Sequence, residues 1–287
     1  ATMAAQAGHE VLWADGPGMR LTWAQNLALL ARFQPDVILW ETKTPGIKRT
    51  WHCVNQCKEL LPETRIILCG DHVTALPEET LANSLTDIVL TGGDYDFGLM
   101  DILNGREKVG PTTPGIGLAA TESGRQGTIA EKRKWDSENR ENASYRIYAK
   151  KTDTPLTDLP VPNRALVQWW RYAYAGSGNY KYLPGTHSYF GRDCWWRHEG
   201  GCTFCSWTNT YKNFRVVTVD RAMAEVEACA SMGIREIFDD TGTFPIGNWL
   251  HDFCDQLRKF NGGKRHGKAK ITVGCNMRPG DLRKTEW

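Results

Sequence analysis

The chain has 287 residues, 41% of them apolar and 24% charged, with a formal charge of +2. That length accommodates two domains with a core each, and a nearly balanced charge with no run of five like charges gives no footing to a nucleic-acid or membrane-surface partner. No apolar run reaches the roughly 18 residues of a membrane span, no signal peptide is seen, and the nine cysteines, an odd number, point to a reducing compartment, by default the cytoplasm, and to metal chemistry rather than disulfides.

Taken in order, the first hundred residues alternate between strand and helix patterns. HEVLWAD (9–15) reads as a strand, LTWAQNLALLARF (21–33) as a helix and DVILWE (36–41) as a buried strand. WHCVNQCKELL (51–61) is helical, RIILCG (65–70) is a third strand, PEETLAN (77–83) is a helix opened by Pro77, and DIVLTGG (87–93) is a fourth strand. Such alternation predicts an α/β domain with a doubly wound parallel sheet, whose ligands sit beyond the carboxyl ends of the strands: 41–45, 70–73 and 91–94. Turn chemistry alone also accounts for these loops, with Gly70, Gly92 and Gly93 supplying positive φ and His72 capping a carbonyl.

Residues 105–184 read as a connecting segment, rich first in Gly, Pro, Thr and Ser and then in aromatics, with Trp169, Trp170, Tyr172 and Tyr174 expected as apolar cover. Beyond it stands YFGRDCWWRHEGGCTFCSWTNTY (189–211), where Cys194, Cys202 and Cys205 form C-x7-C-x2-C beside Gly200 and Gly201. Three thiolates on a flexible loop suit a metal, either an iron–sulfur cluster or, with His198 added, a closed Cys3His zinc site that would make the loop a structural staple. An electron-transfer cluster with a fourth protein ligand is a further reading, with Cys275 as donor; Cys229 and Cys254 fall inside helices and read as core. Helix, strand, helix and strand follow over 219–233, 234–240, 246–261 and 269–279, the opening of a parallel α/β barrel whose strand-end loops share one face: the cysteine loop, 239–244 and 274–279.

Cys-Thr-Phe-Cys at 202–205, followed by a helix and a strand ending Asp-Asp-Thr, is similar to radical S-adenosylmethionine (radical SAM) enzymes that carry cobalamin domains. CGDHVTALPEETL (69–81) before DIVLTGGDYDF likewise resembles their cobalamin-binding domain. The resemblance implies a Rossmann-like cobalamin domain over 1–104, the connecting segment over 105–184, and the first half of a radical SAM barrel over 185–287. It implies a [4Fe-4S] cluster on Cys194, Cys202 and Cys205; S-adenosylmethionine beside Phe204, Asp239, Asp240, Thr241 and Arg278; and cobalamin beside Glu41, Thr42, Thr44, Gly70, His72, Val73, Gly92 and Gly93. The implied activity is reductive cleavage of S-adenosylmethionine to a 5'-deoxyadenosyl radical for C-methylation of an unactivated carbon. Cobalamin-assisted rearrangement or cyclisation is the alternative, and a non-enzymatic zinc-stapled binding protein the reading from another class. The partners implied are a small-molecule or peptide substrate and an electron donor such as flavodoxin or ferredoxin. Two departures stand out. The family's C-x3-C-x2-C has four extra residues here between its first two cysteines, and no Asp-x-His-x-x-Gly is present to supply a histidine to cobalt. With about three barrel strands where the family implies about six, the sequence reads as a fragment.

Overall fold

A computed structural model describes residues 1–105, 147–149, 154–174, 179–211 and 213–281. The chain divides into two compact units, one of Arg20–Thr152 and the other of Ala1–Met19 with Asp153–Trp287.

In the first unit, helix α1 (Trp23–Phe33) starts from a capping box: the Thr22 hydroxyl accepts from Gln25 N at 3.2 Å while the Gln25 side chain accepts from Thr22 N at 2.8 Å. Strand β1 (Val37–Thr42), helix α2 (Ile47–Leu60), strand β2 (Arg65–Gly70), helices α3 (Asp71–Ala75) and α4 (Pro77–Asn83), strand β3 (Ile88–Thr91) and helix α5 (Tyr95–Leu103) follow. A fourth strand, β4 (Ile147–Ala149), comes from the segment expected to be unpatterned, most of which lies outside the described residues. The sheet is parallel throughout in the order β1-β2-β3-β4. Side chains alternate along β2: Ile66 and Leu68 join the core formed with Leu30, Val54, Cys57 and Leu81, while Ile67 and Cys69 pack with Leu90 and Ile102 on the opposite face. A strand buried on both faces reads as a continuous apolar run, which is why RIILCG was legible. Among the described strands the order advances without reversal, so of the doubly wound arrangement the parallel strands and two covered faces are seen, and a strand-order switch point is not.

HEVLWAD is not a strand. It pairs with no sheet and lies in the second unit, held by side chains instead: Trp13 Nε1 donates to the Tyr172 hydroxyl at 3.0 Å, and that hydroxyl donates to Asp15 at 2.7 Å. Strand patterning needs a partner ladder to be realised, and among the described residues none adjoins it. Tyr172 therefore does cover neighbouring chain, whereas Trp170 and Tyr174 stand 52% and 62% exposed, contrary to the expected apolar cover.

The second unit carries strands β5 (Gly185–Ser188), β6 (Gly191–Arg192) and β7 (Arg215–Val216), helix α6 (Val219–Ser231), strand β8 (Glu236–Asp239), helix α7 (Asn248–Phe260) and strand β9 (Thr272–Cys275). Strands β5, β8 and β9 form a parallel sheet in that order. Phe190, fully buried, anchors an aromatic core with Phe244, Trp249 and Phe253, each such side chain contributing about 1.5–3 kcal/mol of burial. A buried ionic cluster joins Glu225 of α6 to Arg164 at 2.6 Å, to Arg221 at 3.0 Å and to the Ser188 hydroxyl at 2.7 Å, so a residue from the connecting segment braces the end of β5. Among the described residues no helix is long and apolar enough to cross a membrane.

Candidate functional site

In the second unit the carboxyl ends of the parallel strands lie side by side, with Ser188 in register with Asp239 and Asp239 with Cys275. The chain leaving β5 is gripped there. Asp239, with no exposed surface, accepts from Phe190 N at 2.6 Å and from Thr241 N at 3.1 Å, and burial pushes its carboxyl up to about 6 despite those bonds. Thr241, equally buried, uses its hydroxyl to accept from Gly191 N at 2.9 Å and to donate to Gly191 O at 3.1 Å. A side chain at Gly191 would lie 2.9 Å from Arg215 O, so glycine lets β6 approach β7 this closely.

The antiparallel pair β6–β7 closes the base of a loop that contains all three cysteines. Asp193, 1% exposed, takes φ +72° at its entrance; a 3-10 turn spans Trp195–Glu199; Gly200 and Gly201 take φ +103° and +69°; and Cys205 N bonds to Cys202 O at 3.0 Å. Cys194, Cys202 and Cys205 are free thiols, and together they line one pocket with Asp193, Trp196, Arg197, Gly201 and Trp207. The Cys194 sulfur is 2.7 Å from the Thr243 hydroxyl. Among the described residues no three His, Cys, Asp or Glu side chains stand close enough to hold a metal as they are, so the thiols share a pocket without meeting at one point. The donor set nevertheless fits an iron–sulfur cluster: three accessible or half-buried sulfurs on one loop, with two left-handed glycines between the first and the second. His198 is exposed and does not line the pocket. The other six cysteines differ in kind. Burial pushes all of their thiols up, Cys57 to about 11 and Cys229 and Cys275 to about 12, and none of them lines this pocket.

The residues expected around S-adenosylmethionine fall into two groups. Asp239 and Thr241 are enclosed, and both bond to the backbone at 190–191, so in this structure they hold the strand end from beneath. Asp240 is partly exposed, accepts from Asn276 Nδ2 at 3.3 Å and faces the Tyr189 hydroxyl at 3.4 Å. Phe204, between the last two cysteines, is 89% exposed. Arg278 reaches the cysteine loop, its guanidinium 3.2 Å from the centre of the Trp196 ring, a cation–π contact, and lies 4.0 Å from Asp281. Sequence reasoning missed Arg197. Its Nε donates to Asp193 and its Nη2 to Trp207 O at 2.9 Å and to Tyr211 O. The legible signal was a charge pair at i, i+4 straddling Cys194.

At the first unit's strand ends, Gly70 takes φ +105°, and a side chain there would meet Thr42 O at 2.5 Å. Thr42, His72 and Val73 are buried, and Thr42 donates to Cys69 O at 2.8 Å, so these three expected cobalamin contacts face inward in this structure. Glu41 and Thr44 are exposed, and Lys43 bridges Glu41 and Asp71 at 3.0 Å each. Gly92 N bonds to the Thr74 hydroxyl at 3.1 Å, and Gly93 is buried beside it.

No family model matches the chain. The apo form of OxsB, a cobalamin-dependent S-adenosylmethionine radical enzyme, superposes on 90% of this chain and 32% of its own, with a TM-score of 0.55 and 16% identity. The likeness is one of fold. Two curated proteins are similar in sequence: the anaerobic magnesium-protoporphyrin IX monomethyl ester cyclase of Rubrivivax gelatinosus, 19% identical over 96% of this chain and 45% of its own, and an uncharacterized methyltransferase of Pyrococcus horikoshii, 26% identical over 82% and 46%. The chain thus spans under half the length of these relatives. The likeness to OxsB runs through both units, well beyond the cysteine loop in which the resemblance is most specific.

Proposed function

We propose that the chain is the cofactor-binding part of a radical SAM enzyme that methylates an unactivated carbon with the help of cobalamin. The observation that carries this reading is the pocket shared by Cys194, Cys202 and Cys205 beyond the carboxyl end of a parallel βα sheet, which is where βα folds gather catalytic groups. These thiols would hold a [4Fe-4S] cluster, with one iron left for S-adenosylmethionine. When bound, the cluster supplies an electron to the sulfonium, and cobalamin supplies a transferable methyl group.

The chain's own residues perform the holding. Asp239 and Thr241 fix the backbone from which the loop departs, and Asp240 offers a carboxylate at the accessible strand ends to accept from an ammonium. The exposed Phe204 ring can lie over a base and exclude water from the sulfurs on either side of it. In the first unit, Glu41, Thr44 and the glycines at 70, 92 and 93 form the strand ends over which cobalamin would lie. An electron donor of the flavodoxin or ferredoxin type and a small-molecule or peptide substrate complete the reaction. The cyclase among the relatives favours a second outcome, cobalamin-assisted ring formation, on the same residues. The exposure of His198, which does not line the pocket, weighs against a zinc staple.

The test is anaerobic reconstitution with iron and sulfide, then electron paramagnetic resonance of the reduced protein with and without S-adenosylmethionine. A [4Fe-4S] signal that changes on its addition is expected. Zinc uptake with no cluster would overturn the reading.

A further inference from the structure

Between its first two cysteines this loop has seven residues where C-x3-C-x2-C has three. That interval contains the turn that bears Arg197, and this one side chain bonds to the chain both before the first cysteine and after the last: to the Asp193 carboxylate on one side, and to the carbonyls of Trp207, at 2.9 Å, and Tyr211 on the other. Arg197 and Asp193 also line the pocket with the three thiols. Asp193 is 1% exposed at a positive φ of 72°, a conformation that costs a non-glycine residue stability and persists only where surrounding bonds impose it. A planar guanidinium with five donors in fixed directions can hold three acceptors at once, which an ammonium on a flexible stem cannot do with the same geometry. From outside, Arg278 lies on the face of Trp196, adjacent to Arg197, and braces the same turn.

We propose that Arg197, held by Asp193, is a positioning residue for the cluster: it draws the two ends of the extended loop together and so brings Cys194 toward Cys202 and Cys205. Without it, an interval of seven residues leaves the first sulfur free of the other two, and capture of a cluster must meet the entropy of closing that loop. The inference rests on the cluster assignment proposed above.

The experiment reconstitutes the parent protein and the Arg197→Ala, Arg197→Lys and Asp193→Gly variants with iron and sulfide. It measures iron per chain, the resonance spectrum of the reduced state and the rate of iron loss to a chelator, with circular dichroism as the check on folding. Asp193→Gly matters because glycine adopts this φ freely, so the variant loses the carboxylate while easing the backbone. Arg197→Ala and Asp193→Gly are expected to retain the parent far-ultraviolet spectrum, to bind less than half the parent iron, to show an altered resonance line shape and to lose iron roughly tenfold faster. Arg197→Lys should recover part of the iron. Parent-level iron, line shape and chelation rate in folded Asp193→Gly would overturn the proposal, whatever the fate of Arg197→Ala. If the parent itself takes up no [4Fe-4S] cluster, it is the proposed function that fails, and the parent measurement alone reveals it.

Discussion

The two parallel sheets end differently: one closes in tight turns, and the other throws out a long loop that a single side chain ties at both ends. In the Arg20–Thr152 unit the strands end in tight turns: Gly70 lies against Thr42 O, Thr42 closes onto Cys69 O, and the side chains of His72 and Val73 turn inward. What remains outside is backbone, Glu41, Thr44 and the Lys43 ion pairs. In the other unit the strand ends are equally well packed, by Asp239 and Thr241 against 190–191, but the chain then leaves as a loop closed by β6–β7 and clasped by Arg197. Its thiols stay reachable, while those of Cys53, Cys57, Cys69 and Cys229 are buried in the core. One end is closed by its own packing and leaves little but backbone outermost; the other presents thiols on a loop.

The sharpest way to break this comparison is to exchange cysteines between its categories. Cys194→Ala, Cys202→Ala or Cys205→Ala is expected to reduce reconstituted iron to near background, whereas Cys69→Ala or Cys229→Ala should keep it and cost only stability, about 1–2 kcal/mol, read by denaturant unfolding. Glycines give the next largest effect. Gly70→Ala places a Cβ 2.5 Å from a backbone oxygen at φ +105° and should destabilise its unit by about 3 kcal/mol or more; Gly200→Ala, at φ +103° with open space around it, should cost only about 1–2 kcal/mol.

A comparable but pH-dependent effect belongs to Asp239. Its folded carboxyl titrates near 6 rather than 3.8, so the folded state binds this proton more tightly than the unfolded chain does. The stability it contributes is fully present below about pH 4 and is lost as pH rises through 6, roughly 3 kcal/mol across the window. Asp239→Asn should flatten that slope in denaturant titrations at successive pH values; an unchanged slope would count against the burial argument. The smallest effect expected is at His198, where substitution by alanine should leave iron content and resonance unchanged because the exposed side chain does not line the thiol pocket.

Much of the fold was legible because its strands and helices have strong local causes. RIILCG and Pro77–Asn83 appear with the boundaries read from the sequence, the first as an apolar run, the second behind a proline that supplies a ready φ. HEVLWAD misled because its apolar run is real but no strand among the described residues pairs with it. β4 and the buried Arg164 were illegible because they come from a stretch with no period, and only contacts with distant residues define them.

The candidate site divides along the same line. Three cysteines at their spacing announce metal chemistry by themselves, since thiolate ligation is a property of residue type and proximity along the chain. Which carboxylate is open and which is spent is not. Asp239 and Asp240 are neighbours in sequence, yet alternation along a strand and its exit sends one into the core to hold the backbone and leaves the other at the accessible edge. The sequence by itself determined that three thiols share one loop, the αβ rhythm and the resemblance they carry. Only the tertiary structure decided that Arg197 ties the cysteine loop at both ends, because its carbonyl partners belong to the backbone, which every residue shares and no pattern of side chains can mark.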